Sequence, residues 1–227
     1  MRTCAQSEAL DTFLRRTRTV QDVIPPTGVN ARGRRVARGI VVLLLGMLPS
    51  SPVAAGVTSR VSISSQGTEA HGGGSAPAVS RAARLVAFAS DAANLVTGDT
   101  NATTDVFVRE RETNVTERVS VASDGSQGNG ASLDPAVSAN GRFVAFTSLA
   151  SNMVPGDTND ASDVFVRDRR TGTTERVSVA SDGTEGTVGP QLAIGSVRPA
   201  ISADGRFVAF ASETGATKDI FVRGPLH

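Results

Sequence analysis

The sequence predicts an all-β fold made of three repeated units, each a four-stranded antiparallel sheet. Three observations predict it. The triplet Arg-Val-Ser recurs at Arg60, Arg118 and Arg176, a constant spacing of 58 residues. Between these marks the same apolar phrases return in the same order: LVAFAS, FVAFTS and FVAFAS, then DVFVR, DVFVR and DIFVR. No 3.6-residue apolar period appears after residue 56.

Composition narrows the function before any motif does. The 227 residues carry 23 basic and 22 acidic side chains, so net charge favours neither a nucleic-acid nor a membrane partner. Apolar residues at 39%, with 23 glycines, exclude a wholly disordered chain. The single cysteine, Cys4, excludes an intrachain disulfide framework and a cysteine zinc site. Two histidines, His71 and His227, leave little room for histidine-centred catalysis.

Residues 1–55 stand apart. They hold eight arginines against three acids, whereas the remaining chain is net acidic. Arg32, Arg34, Arg35 and Arg38 precede the short apolar run GIVVLLLGML, followed by Pro49 and the small residues up to Ala55. Basic region, short apolar region and small residues form a secretory signal, with cleavage after Ala55. Ten apolar residues fall far short of the roughly 20 that span a bilayer. The segment before Val29 is too long and too acidic for a signal's basic region and reads as an upstream extension. Residues 56–227 form the second domain and, after cleavage, carry no stable membrane span.

Four strands make up each unit. Strand A is PAVS and strand B is RFVAF, joined by the turns at Asn140–Gly141 and Asp204–Gly205, dipeptides suited to tight hairpins. Strand C is DVFVR and strand D is ERVSV, joined by a second turn at Gly172. The units should span residues 76–122, 134–180 and 198–223, the last without its fourth strand. The first unit, SRAA at 80–83, has lost the Asn/Asp-Gly turn. Strand B alternates Phe143 and Ala145 against Val144 and Phe146, apolar on both faces, so it lies between two layers. Strand D is more polar on one face. An apolar inner edge with a more polar outer edge describes a β-propeller blade.

SADGRFVAF followed by DIFVR resembles the TolB-type, WD-repeat-like β-propeller blade of bacteria, which typically reads Ser-Pro-Asp-Gly, an apolar strand ending Ala-Phe, then Asp-Ile-Tyr. The resemblance covers residues 60–227. It implies three propeller blades. Ala139 and Ala203 replace the turn proline, and the B–C loops of copies one and two are enlarged by GDTN.

The long B–C and D–A connections leave one end of such a blade, and this end is rich in Gly, Asn, Asp and Ser. Its sharpest candidates are Asp99, Asn101 and Asp105 in copy one, and Asp157, Asn159 and Asp163 in copy two. Their spacing places oxygen ligands at positions 1, 3 and 7, as at the start of a calcium loop. The glycine at position 6 is missing, so the competing reading is an Asx-turn frame anchored by Asp105 and Asp163. No G-x-S-x-G marks a nucleophile, so the chain is expected not to be an enzyme. Arg109, Arg111, Arg167, Arg169, Arg170 and Arg223 read as solvated edge charge, not a nucleic-acid site.

The expected function is an exported bacterial module, periplasmic or extracellular, that binds a protein or envelope component or serves as a scaffold. The competing readings are a calcium- or glycan-binding surface protein and a truncated propeller without independent function. Propellers close with about 4–8 blades, and this chain supplies three. A lone D strand, RVSIS at 60–64, could complete the third blade of a second copy and so close a six-bladed homodimer.

Overall fold

A computed structural model describes residues 57–185, 198–214 and 217–226 of the chain. All of them lie in one compact unit, Ala55–His227. Residues 1–55, where the sequence leads one to expect an extension and a secretory signal, lie outside the described residues.

The unit is all-β, as the sequence predicts. The first sheet pairs β1 (Gly74–Val79), β2 (Leu85–Ser90), β3 (Asp105–Glu110) and β4 (Val115–Arg118) in sequence order. The second repeats it with β5 (Ser132–Val137), β6 (Phe143–Ser148), β7 (Asp163–Asp168) and β8 (Thr173–Arg176). The third holds β9 (Ala200–Ile201), β10 (Val208–Thr214) and β11 (Thr217–Arg223), with no fourth strand among the described residues. Every pairing is antiparallel, and strand B is interior in each sheet.

Local chemistry explains the departures from a regular ladder. Pro77 and Pro135 cannot donate a ladder hydrogen bond, and each falls on the edge strand where the register shifts. Ala76 and Asp134 take positive φ at these bulges. Strand D is shorter and earlier than ERVSV suggests. It ends at Arg118 or Arg176, after which the chain turns into a small isolated bridge, Val121 with Gln127 or Val179 with Glu185. Residues 60–64 are likewise not a strand; Ile63 bridges Glu69 in the same manner.

The turn of the first unit survives the loss of its glycine. Ser80, Ser138 and Ser202 each accept, on Oγ, the amide of the residue five positions on, Leu85, Phe143 and Phe207, at the start of strand B or just before it, at 2.9, 3.0 and 3.0 Å. Ala82 and Ala83 then take positive φ within one short 3-10 turn, Arg81–Ala83, the only helical element among the described residues.

The core lies between the sheets. One cluster joins Leu85, Ala87, Val106, Val108 and Val119 of the first sheet to Val144, Phe146 and Phe165 of the second. Another joins Phe143, Ala145, Val164, Val166 and Val177 to Val208 and Phe210 of the third. The second sheet therefore buries both faces, which is why its strand B has no polar side. Phe146 is fully buried and stacks on Phe165 at 5.9 Å; Phe210 occupies the equivalent place against Phe221 at 6.1 Å.

The A–B turns tie neighbouring sheets together. The amide of Arg81 donates to Ala139 O at 3.0 Å, and the amide of Ala139 to Ala203 O at 2.9 Å. Gly141 needs both its positive φ and its missing side chain, because a Cβ there would lie 1.8 Å from Leu85 Cδ1. Gly205 meets Phe143 in the same way, at 2.2 Å.

Candidate binding rim

The B–C and D–A connections meet at one end of the sheets and are bonded to each other. Asn152 accepts the amide of Asn129 on Oδ1 and donates from Nδ2 to Gln127 O, both at 2.9 Å. Asn94 does the same one repeat earlier, with the His71 amide at 2.9 Å and Glu69 O at 2.8 Å. The D–A loops begin with a tight turn in which Asp124 Oδ1 accepts the Ser126 amide at 2.9 Å. His71, the histidine of this rim, is exposed and is held there through its backbone.

Beneath these loops lie the two aspartate clusters. Asp105 opens β3 and is fully buried. Its Oδ1 accepts from Ser120 Oγ at 2.6 Å. Its Oδ2 accepts from Asn101 Nδ2 and Gln127 Nε2, both at 3.2 Å, and from Arg118 Nη1 at 3.4 Å. Asp99 accepts from Gln127 Nε2 at 2.9 Å and lies 3.4 Å from Arg118. Asn101 Oδ1 accepts the Thr103 amide at 3.2 Å, closing an Asx-turn.

The second cluster copies the first with one change of charge. Asp163 accepts from Ser178 Oγ at 2.5 Å and from Arg176 Nη1 at 3.2 Å, and Asp157 lies 3.3 Å from the same Nη1. Asn159 caps the loop by accepting the Ala161 amide at 3.0 Å. Glu185 replaces Gln127. It pairs with Arg176 Nη2 at 2.7 Å and accepts from Thr158.

Electrostatics follow from this packing. Burial, reinforced by the neighbouring carboxylate, holds Asp99 and Asp157 above the ordinary aspartate range, and burial raises Asp163 as well. Burial by itself pulls the Arg176 guanidinium down, but Glu185 and Asp163 outweigh it and leave the group above its usual value. In both clusters the aspartate oxygens that would face a cation already face a guanidinium. The structure thus brings all six sequence-predicted residues into two clusters.

Sequence reasoning missed the partners. Arg118, Ser120 and Gln127, with Arg176, Ser178 and Glu185, complete the two clusters. The signal was present: the Arg and Ser of the repeated Arg-Val-Ser triplet are the groups that neutralise and bond Asp105 and Asp163.

The arginine reading needs correction. Arg109 is buried, not solvated. Its guanidinium donates to Ser64 O at 3.1 Å, Asn114 O at 2.6 Å and Thr116 Oγ1 at 3.0 Å. Arg167 repeats this with Ala122 O, Gly172 O and Thr174 Oγ1. Desolvation lowers the pKa of both. They stitch each D–A segment to the outer strand of the next sheet. Arg169 pairs with Glu117 of the first sheet and donates to Gly141 O at 2.8 Å. Among the six, Arg111 and Arg170 are exposed as the sequence suggested, with Arg111 Nη1 donating to Ala83 O at 3.1 Å.

A cavity of about 490 Å³ opens on the rim between the second B–C loop and the first D–A turn. Ser123, Asp124, Ser151, Asn152, Met153 and Thr174 contribute to its walls. No group of three or more His, Cys, Asp or Glu able to hold a metal occurs among the described residues.

No protein-family model matches the chain, and no curated protein sequence matches it. Solved structures do. TolB from Acinetobacter baumannii is similar at 16% identity over 70% of this chain and 31% of that one, with a TM-score of 0.43. A putative TolB from Agrobacterium tumefaciens matches at 14% identity over 67% of this chain and 46% of that one, with a TM-score of 0.42. An acylaminoacyl peptidase from Pyrococcus horikoshii matches at 17% identity over 62% of this chain and 17% of that one, with a TM-score of 0.36. The chain spans less than half the length of each. These are likenesses of fold, to a propeller-type family and not to one repeat family. The expectation that the chain is not an enzyme is corrected on one point: enzymes, among them an acylaminoacyl peptidase and an oligogalacturonate lyase, stand among the similar structures.

Proposed function

We propose that this chain is an exported propeller-type module whose loop-bearing rim binds a protein or envelope component. One observation carries the reading. The exposed loop tips stand on a buried frame, Asp105–Arg118–Ser120 in one sheet and Asp163–Arg176–Ser178 in the next. A rigid scaffold with varied polar loops at one end is the arrangement that binding surfaces use. The groove between Asp124 and Ser151 lies on that rim. The opposite rim carries only short turns, closed by Ser80, Ser138 and Ser202.

The calcium reading assigns a different task to the same residues, with Asp99, Asn101, Asp105, Asp157, Asn159 and Asp163 holding the ion. The internal arginines favour the frame.

Capture from an envelope extract with the immobilised full chain tests the proposal. A partner that is lost with Ser151→Arg and Asp124→Arg, but retained with Arg170→Glu on the opposite rim, supports it. Capture unaffected by the two groove substitutions overturns it.

A further inference from the structure

The third sheet presents its open face in a specific pattern. Ile220 and Val222 of β11 are 74% and 68% exposed, and Phe207 is 40% exposed. Their counterparts one repeat earlier, Val164, Val166 and Phe143, are 0%, 2% and 7% exposed, because the third sheet covers them. At the other end of the series Val79 is 62% exposed, whereas its counterparts Val137 and Ile201 pack against the preceding sheet. The third sheet's face of this junction is thus open, and on the first sheet Val79 is the exposed part of a face whose Val86, Phe88 and Phe107 are buried, in a unit that already builds this junction twice.

The sequence before β1 supplies what β11 lacks. Residues 57–62 read Val-Thr-Ser-Arg-Val-Ser, and residues 115–120 read Val-Thr-Glu-Arg-Val-Ser. The latter are β4 and its continuation, the fourth strand of the first sheet. In both complete sheets the serine that ends this phrase does two jobs. Ser120 Oγ accepts the Val106 amide at 3.0 Å and donates to Asp105; Ser178 Oγ accepts the Val164 amide at 2.9 Å and donates to Asp163. The valine amide before it donates to strand C, Val119 to Val106 O and Val177 to Val164 O. The threonine Oγ1 accepts from the strand C arginine, Thr116 from Arg109 and Thr174 from Arg167. Asp219, Ile220 and Arg223 stand at those three positions of β11. Ser62, Val61 and Thr58 are their complements.

The neighbouring contacts are already made. Arg223 donates to Ala180 O at 3.5 Å, as Arg167 does to Ala122 O. Ile63 O and Ser65 Oγ already bond Thr116. Residues 63–70 are therefore docked on the first sheet, and residues 57–60 before them are exposed, with Arg60 paired to Glu69. Within the chain no described contact joins them to β11.

We infer that residues 57–62 of one copy complete β11 of a second copy, reciprocally, so that two chains close one six-bladed ring. A two-fold axis along the ring makes both junctions identical and covers both exposed edges. Six blades fall within the range in which propellers close. The strand that is exchanged is 57–62, earlier than the 60–64 phrase that the triplet marks. One residue departs from the pattern. Ala83 stands where Gly141 and Gly205 meet Leu85 and Phe143, so Phe207 must tilt to receive it.

Light scattering on the purified full chain should give twice the 23.3 kDa monomer mass. Val61→Asp, on the strand, and Ile220→Asp, on the edge, should each give monomer and weaken association at least tenfold. Mixing these two variants should restore a heterodimer, because one of its two junctions is intact. That outcome also proves both variants folded. In a Cys4→Ser background, Ser62→Cys with Asp219→Cys should give a disulfide-linked dimer on a non-reducing gel. A monomeric wild-type chain, a dimer unaffected by both aspartate substitutions, or a disulfide formed within one chain would overturn the inference.

Discussion

The second and third sheets carry nearly the same strand C, DVFVR in β7 and DIFVR in β11, yet one is sealed and the other is an edge. Val164, Phe165 and Val166 are buried, whereas Ile220, Phe221 and Val222 are exposed. Nothing in the two pentapeptides accounts for this. Among the described residues, the difference comes from three neighbours that β7 has and β11 lacks: a following sheet, a fourth strand, and the enlarged B–C loop whose Met153 packs into the core around Phe165. Burial here is a property of the junction between units. A repeat sequence therefore states what a unit can bury, and its neighbours decide what it does bury.

The largest expected contrast is between the stacked phenylalanines. Phe165→Ala and Phe146→Ala should each cost about 3–5 kcal/mol in denaturant unfolding, the usual loss for a fully buried phenylalanine. Phe221→Ala, at the same place in the third sheet, should cost less than about 2 kcal/mol. Equal losses in the two sheets would mean that β11 is as well covered as β7.

Removing the arginine of the buried frame comes next. Arg176→Gln leaves Asp157, Asp163 and Glu185 without their counter-charge and should cost about 3 kcal/mol at neutral pH. The sign of the pH effect follows from the raised aspartates. A carboxyl whose folded pKa lies above its unfolded value favours the folded state as it takes up a proton. The variant should therefore regain stability as pH falls through the carboxylate range. Melting curves between pH 7 and pH 4 that show no such recovery would break this account of the frame.

Asp168 behaves in the opposite sense. Arg142 grips it with two bonds, at 3.0 and 2.5 Å, and holds its carboxyl far below the ordinary range. Its contribution is complete above about pH 4 and is lost as pH falls further toward its folded value. Asp168→Asn should lower stability at pH 7 and flatten the acid limb of the pH profile. The third sheet has Gly224 at this place, and Arg206 instead lies 5.8 Å over the Phe207 ring, so no equivalent contribution exists there.

A smaller, favourable change is expected at the turn of the first unit. Ala83 takes φ +52°, where Gly141 and Gly205 take +72° and +78°. Relief of that strain, net of the entropy of glycine, should let Ala83→Gly raise stability by about 0.5–1 kcal/mol in denaturant unfolding. The smallest effect is expected from calcium. With Arg176 within 3.3 Å of both Asp157 and Asp163, melting curves in EDTA and in excess calcium should coincide. A calcium-dependent rise that Asp157→Ala abolishes would assign the loops to the ion instead.

Much of this molecule was legible because the repeat restates it. The 58-residue spacing located the strands, and the doubly apolar strand B put Phe146 and Phe210 between layers. The rim was legible too, since alternate connections of a meander leave the same end. What single positions lacked was context. Arg109 and Arg167 look like solvated charge in a string of arginines, but each is held by one carbonyl of the preceding D–A segment and by a carbonyl and a threonine hydroxyl of its own sheet. Gln127 bonds Asp105 and Asp99 from 22 and 28 residues away, and Glu185 bonds Thr158 from 27, and the repeated phrases SDGSQ and SDGTE that hold them do not name those partners. Strand D ends early because the chain must leave one sheet to dock on the next, and alternation of side chains carries no record of that turn.

By itself, then, the sequence determined the class of fold, the number of units and the residues of the two aspartate clusters, because these depend on local pattern and on repetition. The tertiary structure alone decided which charges are internal, which turn must be glycine and which edge stays open. Each of those depends on a neighbour distant along the chain, such as Ser64, 45 residues from Arg109, Ser65, 51 residues from Thr116, or Leu85 of the preceding sheet against Gly141. Contacts at that range follow from how sheets pack, and packing obeys shape and desolvation more than any spacing along the chain.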